Sequence, residues 1–253
     1  MNPWKLESAI IPVTGAASGI GLAICKRLRA EGALPLLLDV NAAQLDLALR
    51  DVYADSEASR FGYVVDVRDP HAVDGCFDQL RRDHGPATHA VANAGVSGPG
   101  NVLELSNEAW QRVIDINLNG ALYTCRAAAR QMAEQRRGAI VTTASIAGFL
   151  VKENRVAYTV SKAGVVQMTR ALAVDLGALG IRVNGVAPGV IDTPMQTVKA
   201  SPAVAALADR SALKRLGTPD EIANVVLFLL SDLASYVSGH TIVADGGLSI
   251  RYS

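Results

Sequence analysis

The sequence predicts an α/β fold, a doubly wound parallel sheet of seven strands with helices on both faces, and three observations carry that reading. Seven short apolar runs alternate with longer amphipathic stretches along the 253 residues. Half of the residues are hydrophobic, and 24 Lys and Arg balance 24 Asp and Glu, which suits one large buried core and excludes a disordered chain or a strongly basic nucleic-acid module. No low-complexity tract, charge block or fixed-period repeat interrupts the chain, so a single domain over residues 1–253 is expected.

The runs at residues 9–13, 34–38, 62–65, 89–92, 138–142, 181–186 and 241–243 read as strands. Between them apolar residues recur at helical spacing, as in Leu22, Ile24, Cys25 and Leu28, or Val165, Met168, Leu172 and Leu176. Parallel neighbours need a crossover of a dozen or more residues, and right-handed crossovers cover both faces with helices. Such a sheet binds its ligand beyond the carboxyl ends of its strands, where the winding direction reverses. Two prolines fit poorly, Pro12 inside the first strand and Pro35 near the start of the second. Proline cannot donate to a ladder, so Pro12 is expected to face a bulge or an unpaired carbonyl.

Cys25, Cys76 and Cys125 lie far apart with no C-x-x-C pair, and His71, His84, His89 and His240 form no ligand pattern. Neither a disulfide framework nor a metal is expected. Residues 1–9 lack the layout of a secretory signal, and the longest apolar run, 225–230, is far short of the ~20 residues that cross a bilayer. A cytoplasmic protein is expected, with no membrane or nucleic-acid partner.

After the first strand comes Thr14-Gly15-Ala16-Ala17-Ser18-Gly19-Ile20-Gly21, followed directly by an amphipathic helix. Glycines at 15, 19 and 21 permit a tight turn, close approach of backbone amides to a pyrophosphate and close helix packing, with the helix N-terminus facing the anion. The second strand ends at Asp39, eighteen residues past Gly21, where a carboxylate accepts hydrogen bonds from ribose hydroxyls and repels a 2′-phosphate. Ala17, Ser18, Val40 and Asn41 supply no compensating positive charge, so NAD(H) is favoured over NADP(H).

Tyr158 and Lys162 are spaced i and i+4, so a helix beginning near Ala157 projects them from one face. A phenol ordinarily titrates near pH 10, and an adjacent ammonium together with a bound nicotinamide cation favours the phenolate. Tyr158 is thus the candidate general base for alcohol oxidation and general acid for ketone reduction. Ser145, thirteen residues earlier at a strand's carboxyl end, is placed to donate to the substrate oxygen, although a serine there equally suits a turn cap. Asn117 is a mediocre helix former inside a long helical stretch.

The motifs at residues 14–21, Asn93-Ala94-Gly95, Asn117, Ser145, Tyr158-Thr-Val-Ser-Lys162 and Pro188-Gly189, in this order and at these intervals, resemble the short-chain dehydrogenase/reductase family, through the closing Asp245-Gly246-Gly247. The resemblance implies a Rossmann-like fold. It also implies that Asn117 distorts its helix and holds a water linking Lys162 to solvent. It places Asn93, Ala94 and Gly95 beside the adenosine ribose, although Ala92 stands where relatives often have a second Asn. By the same resemblance Asp66 and Val67 recognise the adenine, and Pro188, Gly189, Val190 and Thr193 hold the nicotinamide carboxamide. Relatives are usually homotetramers joined through the two long helices, here around residues 109–132 and 158–176.

The reading that follows is an oxidoreductase moving a hydride between NAD(H) and a secondary alcohol or its ketone. A 3-oxoacyl-thioester reductase is the alternative within the enzyme class, and a non-catalytic NAD-binding protein the one outside it. Residues 191–212, framed by Pro194 and Pro202, are expected to form a lid over the substrate. Phe149, Leu150, Val151, Glu153 and Met195 are expected to line a mainly apolar pocket, which suits a polyol, a hydroxyacid ester or an aromatic alcohol.

Overall fold

Seven strands form where the apolar runs stand: β1 (Ile10–Thr14), β2 (Leu34–Asp39), β3 (Gly62–Val64), β4 (His89–Ala92), β5 (Gly138–Thr143), β6 (Ile181–Pro188) and β7 (Thr241–Ala244). This computed structural model describes residues 4–53, 58–98, 100–193, 206 and 208–251. The strands pair in the order β3-β2-β1-β4-β5-β6-β7, every neighbour parallel. Five of them, β1, β2, β5, β6 and β7, run one or two residues past their apolar runs. Thr14, Asp39 and Thr143 are therefore ladder residues, held by the sheet although their side chains are polar.

The helices are α1 (Gly19–Ala30), α2 (Ala42–Tyr53), α3 (Pro70–His84), α4 (Asn107–Ile114), α5 (Gly120–Gln135), α6 (Val156–Gly177) and α7 (Pro219–Leu230). Successive strand residues face opposite sides of a sheet, which splits the interior into two cores. Val13, Leu37 and Val141 face a core closed by α1, α2 and α7, while Leu36, Leu38 and Ile140 face one closed by α3, α5 and α6. Among the described residues, no helix is long and apolar enough to cross a membrane.

Pro35 sits where β2 extends beyond β3, whose pairing begins only at Leu37, so no ladder donor is missed there. Pro12 interrupts the seam between β1 and β4. Only Val13 pairs with Val91 across it, against five paired positions between β1 and β2. On the other side of the proline, the Ile10 carbonyl accepts from the Thr88 amide and the Ile10 amide donates to Thr88 Oγ1 at 3.1 Å. A side chain thus replaces part of the ladder that the proline prevents.

Candidate active site

The reversal in strand order between β1 and β4 opens a cleft of about 220 Å³ at the carboxyl ends of the central strands. Its floor is the glycine turn. Gly15 and Gly19 adopt φ of +65° and +54°, backbone that L side chains rarely take. A Cβ on Gly21 would stand 2.1 Å from the Gly15 carbonyl oxygen, so only glycine lets α1 start this close to β1. Ser18 caps α1 with extended backbone but forms no side-chain cap, and no acidic residue occupies the first turn. The first amides of α1 are left without a side-chain acceptor, the arrangement that suits a pyrophosphate.

Asp39 is fixed at the end of β2. Its carboxylate accepts from the Ala17 amide at 3.1 Å and from the Asn41 amide at 3.0 Å, and it borders both this cleft and a neighbouring one of about 370 Å³. The second cleft contains Asp66 and Val67. It also contains Arg68 and Arg112, cations that the residues adjoining Asp39 in sequence do not reveal. Arg68 is forked onto Asp66, whose carboxyl is held below the usual range by that guanidinium, so the Arg68 charge is matched locally.

Asn93 stitches three strand ends together. Its Nδ2 donates to the carbonyls of Thr14 and Gly15 at 3.0 and 3.2 Å, and its Oδ1 accepts from Thr143 Oγ1 at 3.2 Å. Thr14 Oγ1 accepts from the amides of Asn93 and Ala94. Gly15 needs its missing side chain here too, because a Cβ would come within 2.8 Å of Ala94 Cα. Pro188 and Gly189 form the opposite wall, where a Cβ on Gly189 would stand 2.6 Å from Asp245 Cβ. Thr193 reaches across to Gly19.

The candidate groups for proton chemistry stand along the same cleft. Ser145 is buried at the start of a short 3₁₀ turn, and its Oγ accepts from the Ala147 amide at 3.1 Å. That is the turn cap, and it coexists with the other role, since capping uses a lone pair and leaves the hydroxyl hydrogen to donate. Tyr158 and Lys162 project from one face of α6, with Nζ 5.9 Å from the centre of the phenol ring. Lys162 is only 4% exposed, donates to the Thr143 carbonyl at 2.8 Å, and is pushed by burial from 10.5 down to about 8.

Asn117 lies in a π turn, Asp115–Asn119, between α4 and α5, so the helix is distorted where the resemblance implies. Its side chain is buried and committed: Nδ2 donates to the Val96 carbonyl and Ser161 Oγ, both at 3.0 Å, and Oδ1 accepts from the Val96 amide at 2.8 Å. With both amide hydrogens engaged, a link from Asn117 toward the lysine must run through one of its carbonyl oxygens. Gly95 keeps that route open, since a Cβ there would press against both Asn117 Oδ1 and Lys162 Nζ, at 3.3 and 3.4 Å.

One cleft therefore gathers Gly15, Ser18, Gly19, Ile20, Gly21 and Asp39 from the β1 side with Asn93, Ala94 and Gly95 from β4. It adds Ser145, Tyr158, Lys162, Pro188, Gly189 and Thr193 from the other half of the sheet. Asp66 and Val67 lie in the adjoining cleft, and Val190 borders a third cavity beside α7. Phe149, Leu150, Val151 and Glu153 are exposed and are not among the walls of the cleft, because the chain turns outward after the 3₁₀ turn. Met195, and most of the expected lid over 191–212, lie outside the described residues. Sequence reasoning missed Thr143, Ala144 and Ile191 as walls and Ser161 as a partner of Asn117. The one available signal was Ser161 itself, a hydroxyl buried inside an apolar helix face.

Residues 15–249 match the family described as enoyl-(acyl carrier protein) reductase. The chain is 36% identical to the 3-oxoacyl-(acyl-carrier-protein) reductase of Thermotoga maritima, covering 97% of this chain and 100% of that protein. It is 40% identical to the cis-4-hydroxycyclohexanecarboxylate dehydrogenase of Sinomonas cyclohexanicum, covering 93% and 94%. The crystal structure of a short-chain type dehydrogenase/reductase from Mycobacterium marinum superposes with a TM-score of 0.91 at 32% identity, covering 99% of both chains. With a shared fold, near-complete coverage and such relatives, the chain belongs to the short-chain dehydrogenase/reductase family of oxidoreductases.

Proposed function

We propose that this oxidoreductase interconverts a small secondary alcohol and its ketone with NAD(H), and that Tyr158 is its general acid and base. The observation that carries the reading is the buried Lys162 ammonium beside the Tyr158 ring, in the same cleft as the glycine turn. The chain's own features fit a dinucleotide: uncapped α1 amides for the pyrophosphate and the fixed Asp39 carboxylate for the ribose. When bound, the nicotinamide ring supplies or accepts the hydride. Ser145 donates its free hydrogen to the substrate oxygen, and Tyr158 takes the proton from that hydroxyl during oxidation or returns it during reduction. Lys162 stabilises the phenolate, and Asn117 shapes the route by which the proton reaches solvent. The protein's part is placement and electrostatics.

The preference for NAD rests on Asp39, and the pairing of Arg68 with Asp66 supports it. Asp39→Ala is expected to raise the NADP+ to NAD+ ratio of kcat/KM by about tenfold or more, the range of one charged contact. An unchanged ratio would remove Asp39 from the ribose site. The similarity to the Thermotoga maritima enzyme favours a second reading, a 3-oxoacyl-thioester reductase. Assaying purified protein with NAD+ against secondary alcohols, and with NADPH and NADH against acetoacetyl-coenzyme A, separates the two. Turnover of neither, with cofactor still bound, would leave a cofactor-binding protein without this chemistry. We also propose a homotetramer joined through the helices around residues 109–132 and 158–176, and a monomer in light scattering at micromolar concentration would exclude it.

A further inference from the structure

Arg155 stands at the start of α6, and its guanidinium carbon lies 5.8 Å from the centre of the Tyr158 ring. Its Nη1 donates to Ser97 Oγ at 3.0 Å, and the Gly100 amide donates to the Asn154 carbonyl at 2.9 Å. The loop after β4 is thereby fastened to the start of α6, and the guanidinium is fixed beside the proposed acid and base. Arg155 is half-buried, yet among the described residues no carboxylate pairs with it. By contrast, Arg68, Arg81 and Arg215 are each forked onto a carboxylate. A guanidinium carries five donors in a planar fork matched to a planar oxyanion, and Ser97 engages only one.

We infer that the substrate is a hydroxy acid or keto acid, its carboxylate held by Arg155 and Ser97 while Ser145 and Tyr158 hold the reacting oxygen. The inference rests on the dehydrogenase reading above and narrows its substrate class.

The test uses the full chain with saturating NAD+ and two probes, 3-hydroxybutyrate and 4-hydroxycyclohexanecarboxylate, each against its methyl ester. For at least one pair the acid is expected to exceed its ester in kcat/KM by about tenfold or more, and Arg155→Met to lower that ratio about ten- to hundredfold, chiefly through KM. Arg155→Lys should recover part of the ratio, since it keeps the charge without the fork. A wild type that favours both esters, or a ratio unmoved in Arg155→Met, would overturn the inference while leaving the dehydrogenase reading intact. Calorimetric titration of cyclohexanecarboxylate into the protein with NAD+ decides the case in which no probe turns over. Binding weakened tenfold or more in Arg155→Met then upholds the anion site independently of turnover, and equal or undetectable binding in both proteins overturns it.

Discussion

Tyr158→Phe is expected to lower kcat by about three orders of magnitude, the middle of the range for a positioned acid or base, while the affinity for NAD+ changes less than threefold. The substitution keeps the ring beside its two cations, Lys162 at 5.9 Å and Arg155 at 5.8 Å, and removes only the oxygen. The backbone of α6 is unaffected, and so is the hydrogen bond from Ser161 Oγ to the Tyr158 carbonyl. Without the phenol, neither of its described neighbours replaces it: Ser145 Oγ already accepts from the Ala147 amide and keeps only a hydrogen to donate, and Lys162 faces the Thr143 carbonyl. Steady-state rates with any alcohol that the wild type oxidises, paired with a fluorescence titration of cofactor, read both quantities. A variant within tenfold of wild type would assign the proton transfer elsewhere.

Lys162→Met is expected to abolish most activity and yet to stabilise the cofactor-free protein at neutral pH. Burial moves the ammonium from 10.5 to about 8, so below pH 8 the folded chain holds a charge it disfavours by roughly 3 kcal/mol. Between pH 8 and 10.5 the unfolded chain binds the proton and the folded chain has released it, so this group makes wild-type stability rise with pH across that window. Methionine removes the charge but leaves the Thr143 carbonyl without its donor, a cost of about 1–3 kcal/mol. The net gain at pH 7 is then about 1 kcal/mol. Urea unfolding at pH 7 and pH 10 measures it, and the advantage of the variant should shrink or reverse at the higher pH. A variant less stable than wild type by more than 1 kcal/mol at pH 7 would show that Lys162 is well accommodated by its contacts.

Much of the fold could be read in advance because parallel strands buried on both faces are continuous apolar runs, and this chain separates them with long amphipathic stretches. Strand ends were less legible, since Thr14 and Thr143 are polar where hydropathy stops but the ladder continues. The glycine turn and the Tyr158–Lys162 pair were legible because each is a local spacing: a clash-free turn in one case, a shared helix face in the other. What sequence order conceals is convergence. Arg68 and Arg112 reach the cleft beside Asp39 from the turn after β3 and from α4, and Arg155 meets Ser97 across 58 positions. Such meetings depend on the winding of the sheet, which no window of neighbouring residues contains. The lysine's burial is likewise a property of what packs over it.

Pro12 has a mechanical consequence for the molecule's midline. Because the proline withholds a backbone donor there, the β1–β4 ladder is thin, and the side chains of Thr14, Thr88 and Asn93 add hydrogen bonds across it to those that the backbone still makes. Part of the grip between the two halves is therefore written in side chains, where a single base change can loosen or tighten it without disturbing either half's own weave.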